Sequence, residues 1–324
     1  MSNHNNGDLP FYGLIFAWAL IIAAYGWLVE SSFMLSLAGY TSTLALFALS
    51  INVMLGGVGE VPLGQCLFFG LGAYAVGIGM KKFGLSYEQG LVLATAVSVV
   101  LAAAIGSLTL RLTGAYFSIV SWGLASVAVV VALNLEHFTG GGMGIFGLPA
   151  MHVFSLDLSK PANYFFITAS VLVVTVIMLR AVRDSRFGDA MESVRQNRHL
   201  ASALGINVFR QRVKAFMLSG ALASIAGGLS VPYTQIVTPE ALSVGITVDA
   251  LLMVLLGGLH WLFGPVVGAM GFSIIPFYLN LDVNVRMLVF STAIILIMMF
   301  MPGGLHELGL RLYTRMKEAV DARH

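Results

Sequence analysis

The sequence predicts an all-α polytopic membrane protein, with eight to ten transmembrane helices and glycine-rich broken or re-entrant segments among them. Three observations carry that prediction. Hydrophobic residues make up 58% of the 324 residues and charged ones only 10%, where a soluble domain carries about 25%. The mean hydropathy is +0.90, and apolar runs near span length recur along the chain. Glycine contributes 36 residues, many of them inside those apolar runs, where small faces let helices approach closely in lipid.

In chain order the candidate spans are 11–29, 33–55, 63–80, 89–110, 115–134, 163–182, 213–231, 246–258, 264–281 and 285–301. The first follows a polar stretch, MSNHNNGDLP, that lacks the basic start of a secretory signal, so it reads as a retained span. The segments 63–80 and 246–258 are short or glycine-rich and read as half-helices or re-entrant pieces. Such backbone survives at membrane depth only inside protein or along a water-filled path. Residues 52–57 (NVMLGG) and 253–258 (MVLLGG) echo each other, as interrupted helices of a structural repeat do. After Pro302-Gly303-Gly304, residues 304–320 carry Leu305, Leu308, Leu312, Met316 and Val320 opposite Arg311, Arg315 and Lys317, the pattern of an interfacial amphipathic helix.

Basic residues orient the spans. Seven of the seventeen Lys and Arg residues lie from Arg183 to Lys214, in a charged island between two apolar runs. The island and the basic tail belong inside, and the segment 135–162, with Lys160 as its basic residue, belongs outside. Lys81 and Lys82 then also fall outside, against the rule, unless 63–80 fails to cross. The outer segment holds TGGGMGIFGLP (Thr139 to Pro149), which favours turns. It is expected to be a surface loop or a lip for a partner.

The sequence excludes several chemistries. No G-x-x-x-x-G-K-[ST] loop is formed by any of Lys81, Lys82, Lys160, Lys214 or Lys317, so no ATP site of that kind is present. The seven histidines and the lone Cys66 show no metal-ligand spacing, and no metal site is expected. No nucleophile elbow appears, and the one basic cluster is juxtamembrane rather than a nucleic-acid face. Ionisable residues are scarce inside the spans, with Asp249 the best placed, which weighs against ion coupling.

The island also has helical periodicity. Asp184 or Ser185 is placed to cap a helix and Gly205 to end it, predicting one helix over 184–205. Met191, Val194, Ala201 and Leu204, with Ala190 alongside, form an apolar stripe. Glu192, Arg195, Gln196, His199 and Ser202 take the other side. The stripe suits a groove on a soluble partner, with Arg186, Arg195 and Arg198 at the rim. The same helix lying on anionic lipid satisfies the pattern equally. Among the spans, Asn52, Gln65, Tyr116, Ser118, Ser121 and Asn134 are polar in apolar runs. They are expected to line a translocation path or to bond helix to helix.

Four stretches resemble the permeases of branched-chain amino acid ABC importers, the LivM-like family with its urea and short-amide relatives. RFGDAMESVRQNRHLASALGINV resembles the family's cytoplasmic loop. LGQCLFFGLGAYAVG (Leu63 to Gly77), LRLTGAYFSIVSWGLA (Leu110 to Ala125) and LLMVLLGGLHWLFGPVVGA (Leu251 to Ala269) resemble its glycine-rich segments. His260-Trp261 stands where family members often carry Gly-Thr. The resemblance implies an ABC importer permease fold in the bacterial inner membrane, one permease domain over 1–324 with no hydrolysis of its own. It implies a second, homologous permease chain, two ATPase subunits that bind ATP and magnesium, and a periplasmic solute-binding protein facing 135–162. The loop 183–212 becomes a cytoplasmic coupling helix, with Arg186, Gly188, Ala190, Met191, Val194, Arg195, Arg198, Ala201, Leu204 and Gly205 carrying ATPase motion to the spans. The cargo becomes a small polar solute, a branched-chain or other amino acid. The competing reading is an ion-coupled secondary transporter or channel without ATPase subunits, which has no need of a docking stripe.

Overall fold

Helix boundaries fall where the sequence carries caps and glycines. A computed structural model describes residues 25, 26, 28, 29, 31–154, 156–259 and 262–279, with Val285, Leu288 and Thr292. The predicted helix at 304–320 and most of the predicted spans at 11–29 and 285–301 lie outside these residues. Helix α1 (Ser32–Val58) starts at the Ser31 cap and stops at left-handed Gly59. Helix α2 (Cys66–Phe83) stops at left-handed Gly84. Helix α3 (Tyr87–Thr109) opens with a reciprocal Ser86/Gln89 capping box, and α4 (Ala115–Asn134) follows Gly114. After the short α5 (Glu136–Thr139) come α6 (Pro161–Arg183), with proline in its first turn, α7 (Arg186–Gln196) and α8 (Arg198–Ala203). Helices α9 (Val208–Thr234), α10 (Val244–Gly257) and α11 (Gly264–Leu279) complete the described order. Six helices, α1, α2, α3, α4, α6 and α9, are long and apolar enough to cross a membrane among the described residues.

Helix α9 is the hub: it packs on α1, α2 and α3, while α1 also packs on α6, α10 and α11. The core is built from Phe47, Met54, Phe68, Phe69, Phe216 and Met253. Phe68 and Phe117 both meet Phe216 edge-on, with centroids 5.3 and 5.9 Å away. Glycine brings α2 and α9 together. A Cβ on Gly72 would lie 2.0 Å from the Ser224 carbonyl oxygen, and one on Gly227 would lie 1.8 Å from that of Phe69. Only bare backbone fits there, so the glycines of 68–79 serve close helix packing.

The two weak spans resolve differently. Helix α2 has 18 residues, about 27 Å at 1.5 Å per residue, and is one of the six long and apolar enough to cross. Its irregular part is the segment 59–65 that precedes it. Helix α10 has only 14 residues, about 21 Å, short of the roughly 30 Å hydrocarbon core. A 3-10 turn at Pro239–Leu242 leads into it with Pro239 and Leu242 buried, and Leu242 lies against Gly70 of α2. The chain thus re-enters the bundle in irregular form, surrounded by protein as the missing water demands. Its glycine end lies beside that of α1, since a Cβ on Gly56 would meet the Leu259 carbonyl oxygen at 2.8 Å.

Pro232 lies inside α9 and has no N–H to give the carbonyl of Gly228, four residues back. The Tyr87 hydroxyl of α3 donates to that carbonyl at 3.0 Å. Tyr164 of α6 does the same for Leu229 at 3.1 Å. Replacing Tyr87 by phenylalanine is expected to lower stability by about 1 kcal/mol, read as a lower thermal midpoint in detergent.

At the end of the bundle opposite the island, the segment 135–162 forms a packed cap. Gly140, Gly141, Gly144 and Gly147 all have positive φ, which explains the TGGGMGIFG run. Ile145 pairs with Val237 in an antiparallel bridge, and strands β1 (His152–Val153) and β2 (Leu156–Asp157) make a two-residue hairpin. Lys81 donates to the Phe146 carbonyl at 2.6 Å, and Lys82 to that of His137. Each ammonium also sits over an aromatic ring, of Phe146 or Phe138. The two lysines that conflict with the charge rule are therefore held by this cap at the far end of a helix long and apolar enough to cross.

Candidate functional site

The island folds as two helices, not one. Ser185 caps α7, its Oγ accepting from the N–H groups of Phe187 and Gly188 at 3.2 and 3.4 Å. Asp184 instead pairs with Arg180 at 2.6 Å. The predicted single helix breaks at Asn197, whose backbone is extended (φ −157°, ψ 108°). Its Oδ1 accepts from the N–H groups of His199 and Leu200 at 3.0 and 3.1 Å and so starts α8. Gly205, with φ +84°, ends α8 as predicted. The N–H of Ile206 reaches Ala201 and that of Gly205 reaches Ser202, both at 3.0 Å, the two bonds of a Schellman turn.

The predicted docking stripe is mostly turned inward. Ala190, Met191, Val194 and Ala201 are buried within this chain. Helix α7 packs on α1, α6 and α9, and Met191 seats against Gly57, where an added Cβ would lie 2.4 Å from its Cε. The stripe's apolar area is used up by the protein's own bundle. Gly188 is pressed on the end of α6: a Cβ there would lie 2.2 Å from the Arg183 carbonyl oxygen. Arg195 is bound to Glu192 at 3.0 and 2.5 Å, and that hydrogen bond is the chief reason Glu192 is held below the usual carboxylate range. Among the exposed residues are Arg186, Leu200, Ala203, Leu204 and Gly205. Leu200 is 58% exposed and Leu204 70%.

Arg198, expected at a partner's rim, points into the protein. It donates to Oε1 of Glu60 at 2.5 Å. Glu60 is fully buried. The same Oε1 accepts from Arg212 at 2.7 Å, while Oε2 accepts from the N–H of Gly114, the cap residue of α4, at 3.0 Å. Arg212 also donates to the carbonyls of Leu110 and Leu112 at 2.6 and 2.7 Å. One carboxylate therefore joins the end of α1, the α3–α4 turn, the start of α9 and the start of α8. The sequence signal for it was a lone glutamate behind a helix-ending glycine.

The six predicted path residues separate into two groups. Ser118 donates to the Val61 carbonyl at 2.9 Å and Ser121 accepts from the Gly64 N–H at 3.3 Å, so α4 satisfies the unwound segment before α2. Thr247 of α10 accepts from the Cys66 N–H at 2.9 Å. Gln65 donates to Ser219 at 2.8 Å, which donates to the Ser50 carbonyl at 2.6 Å. These three predicted residues bond helix to helix, because broken backbone in a dry interior needs partners. Tyr116 and Asn134 are exposed, while Asn52 is partly buried. Asn52 lines a cleft of about 300 Å³ with Leu49, Leu179, Asp189 and Leu218, and its buried Oδ1 has no partner. Tyr116 and Asn134 lie on the exposed side of α4 with Gly123 and Ser126. The opposite side of α4 packs through Phe117, Ser121, Ala125 and Ala132.

Comparison with known proteins gives a consistent result. The family model described as "Branched-chain amino acid transport system / permease component" matches residues 33–301. The chain is 28% identical to the high-affinity branched-chain amino acid transport system permease protein LivM of Salmonella typhimurium, covering 90% of this chain and 74% of that one. It is 27% identical to LivM of Escherichia coli over the same shares. A probable branched-chain amino acid transport permease protein LivH of Methanocaldococcus jannaschii is 29% identical over 60% of this chain and 58% of that one. No solved structure matches the chain.

Proposed function

Because the chain belongs to the branched-chain amino acid transport permease family, a family of transport permeases and not of enzymes, we propose that it is half of an ATP-driven importer for a branched-chain or other small amino acid. The observation that carries the coupling part is the island. It is folded onto the bundle by its own apolar stripe and still presents Leu200 of α8 and Leu204 at its C-cap, four residues apart, to the outside. In this reading an ATPase subunit, which binds the ATP and magnesium, covers those leucines, with Arg186 at the edge. A second ATPase subunit serves a second, homologous permease chain. The excess of arginine around the island orients that end to the cytoplasm of a bacterial inner membrane. The packed cap at 135–162 then faces the periplasm, where a solute-binding protein delivers cargo.

The exposed side of α4 is proposed to face the second permease chain and to line the shared path. Tyr116, Ser126 and Asn134 lie on that side; Ser126 and Asn134 donate to carbonyls of their own helix, and a Tyr116 phenol facing lipid would be costly. Asn52 lines the cleft at the cytoplasmic end.

Reconstitution tests the whole reading. The chain, its partner permease and their ATPase subunits are placed in liposomes with the solute-binding protein outside. Leucine uptake is expected to require ATP inside. Uptake driven by an ion gradient with the ATPase subunits left out would replace the importer by a secondary carrier.

A further inference from the structure

The carboxylate of Glu60 connects the exposed segment to the helix that carries the path side. Resting on the importer reading, we propose that the Arg198–Glu60 ion pair is the contact through which movement of α8 reaches the first turn of α4. Both residues act as positioning residues for transport.

Four features of the geometry support this. First, the two arginines on Glu60 differ in kind. Arg212 is buried and also holds two carbonyls of the α3–α4 turn, whereas the Arg198 side chain is 32% exposed. Second, removing Arg198 does not strand a buried charge, because Arg212 still neutralises Glu60. A buried carboxylate with one partner would resist separation strongly. A carboxylate with a permanent partner and a second, half-exposed one can release the second at modest cost.

Third, the two carboxylate oxygens are divided between the moving and the receiving parts. Oε1 takes both guanidinium groups, and Oε2 takes the Gly114 N–H at the amino end of α4. A rotation of the carboxylate as Arg198 leaves changes the bond to α4. Fourth, α8 is a helix separate from α7. Asn197 separates the two helices with extended backbone and supplies α8 with its own cap, while α7 is held to the bundle by Met191 and Val194. Force applied at Leu200 and Leu204 thus enters a six-residue helix whose first residue, Arg198, grips Glu60.

Replacing Glu60 itself risks misfolding, so the test uses Arg198 in the intact complex. ATP hydrolysis and solute uptake are measured together in proteoliposomes for wild type, Arg198→Gln and Arg198→Lys. Arg198→Gln is expected to assemble, melt like wild type and hydrolyse ATP at close to the wild-type rate. Its solute uptake per ATP should fall about tenfold, the size of one lost charge-assisted hydrogen bond. Arg198→Lys should recover most of that ratio. An unchanged ratio overturns the proposal, as does a parallel fall in hydrolysis and uptake or a failure to assemble, since either assigns Arg198 to docking or folding alone. Uptake by the wild-type complex without ATP would instead overturn the importer reading.

Discussion

Replacing Glu60 by leucine is expected to cost about 3–5 kcal/mol, the penalty for removing one partner of a buried ion pair. Arg212 would keep its charge in a buried site and lose the carboxylate 2.7 Å away. The Gly114 N–H would lose its acceptor as well. Thermal unfolding in detergent should show a fall much larger than that of Tyr87→Phe. A double variant, Glu60→Leu with Arg212→Leu, should recover part of the loss, because an apolar pair replaces a stranded charge. The coupling energy from that cycle measures the pair directly. If Glu60→Leu melts within about 1 kcal/mol of wild type, Arg212 has found other partners and the node does not organise this end of the bundle.

The second large effect separates the two faces of the island. Leu200→Asp together with Leu204→Asp is expected to abolish co-purification of the ATPase subunit while the chain keeps its thermal midpoint. Both residues are exposed, so a carboxylate there costs the fold little. Interface anchors of this kind contribute about 2 kcal/mol or more each to a complex. Met191→Asp should behave in the opposite order. Met191 is 7% exposed and lies in the main core, so a carboxylate there must be buried without a partner. The folded chain itself should be lost, and the ATPase only as a consequence. Retention of the ATPase by the leucine variant would move the docking surface away from α8.

These contrasts show which parts of the site were legible beforehand. The Ser185 cap and the Gly205 stop were legible, because capping is a matter of a few adjacent residues and their hydrogen bonds. The break at Asn197 was missed, although an asparagine side chain that competes for its own backbone was a usable signal. The apolar stripe was real, but periodicity identifies a buried face without saying what buries it. Here the cover is α1, α6 and α9 of the same chain. Ser118, Ser121 and Gln65 were singled out as lining a path or bonding helix to helix, and their partners here are an unwound backbone and a neighbouring helix.

The sequence by itself determined that this chain crosses a membrane as a set of helices, where most described helices start and stop, that the island is helical, and which family it resembles. Composition, period and local capping decide those points through interactions that span a few residues. Tertiary structure decided the rest. Glu60 meets Arg198 and Arg212 from 138 and 152 positions away. Lys81 and Lys82 are satisfied by carbonyls 65 and 55 positions on, and the stripe of α7 belongs inside. Each of these depends on which surfaces the closed bundle brings within hydrogen-bonding or van der Waals distance. That outcome is set by the packing of all the helices together, which no local pattern encodes.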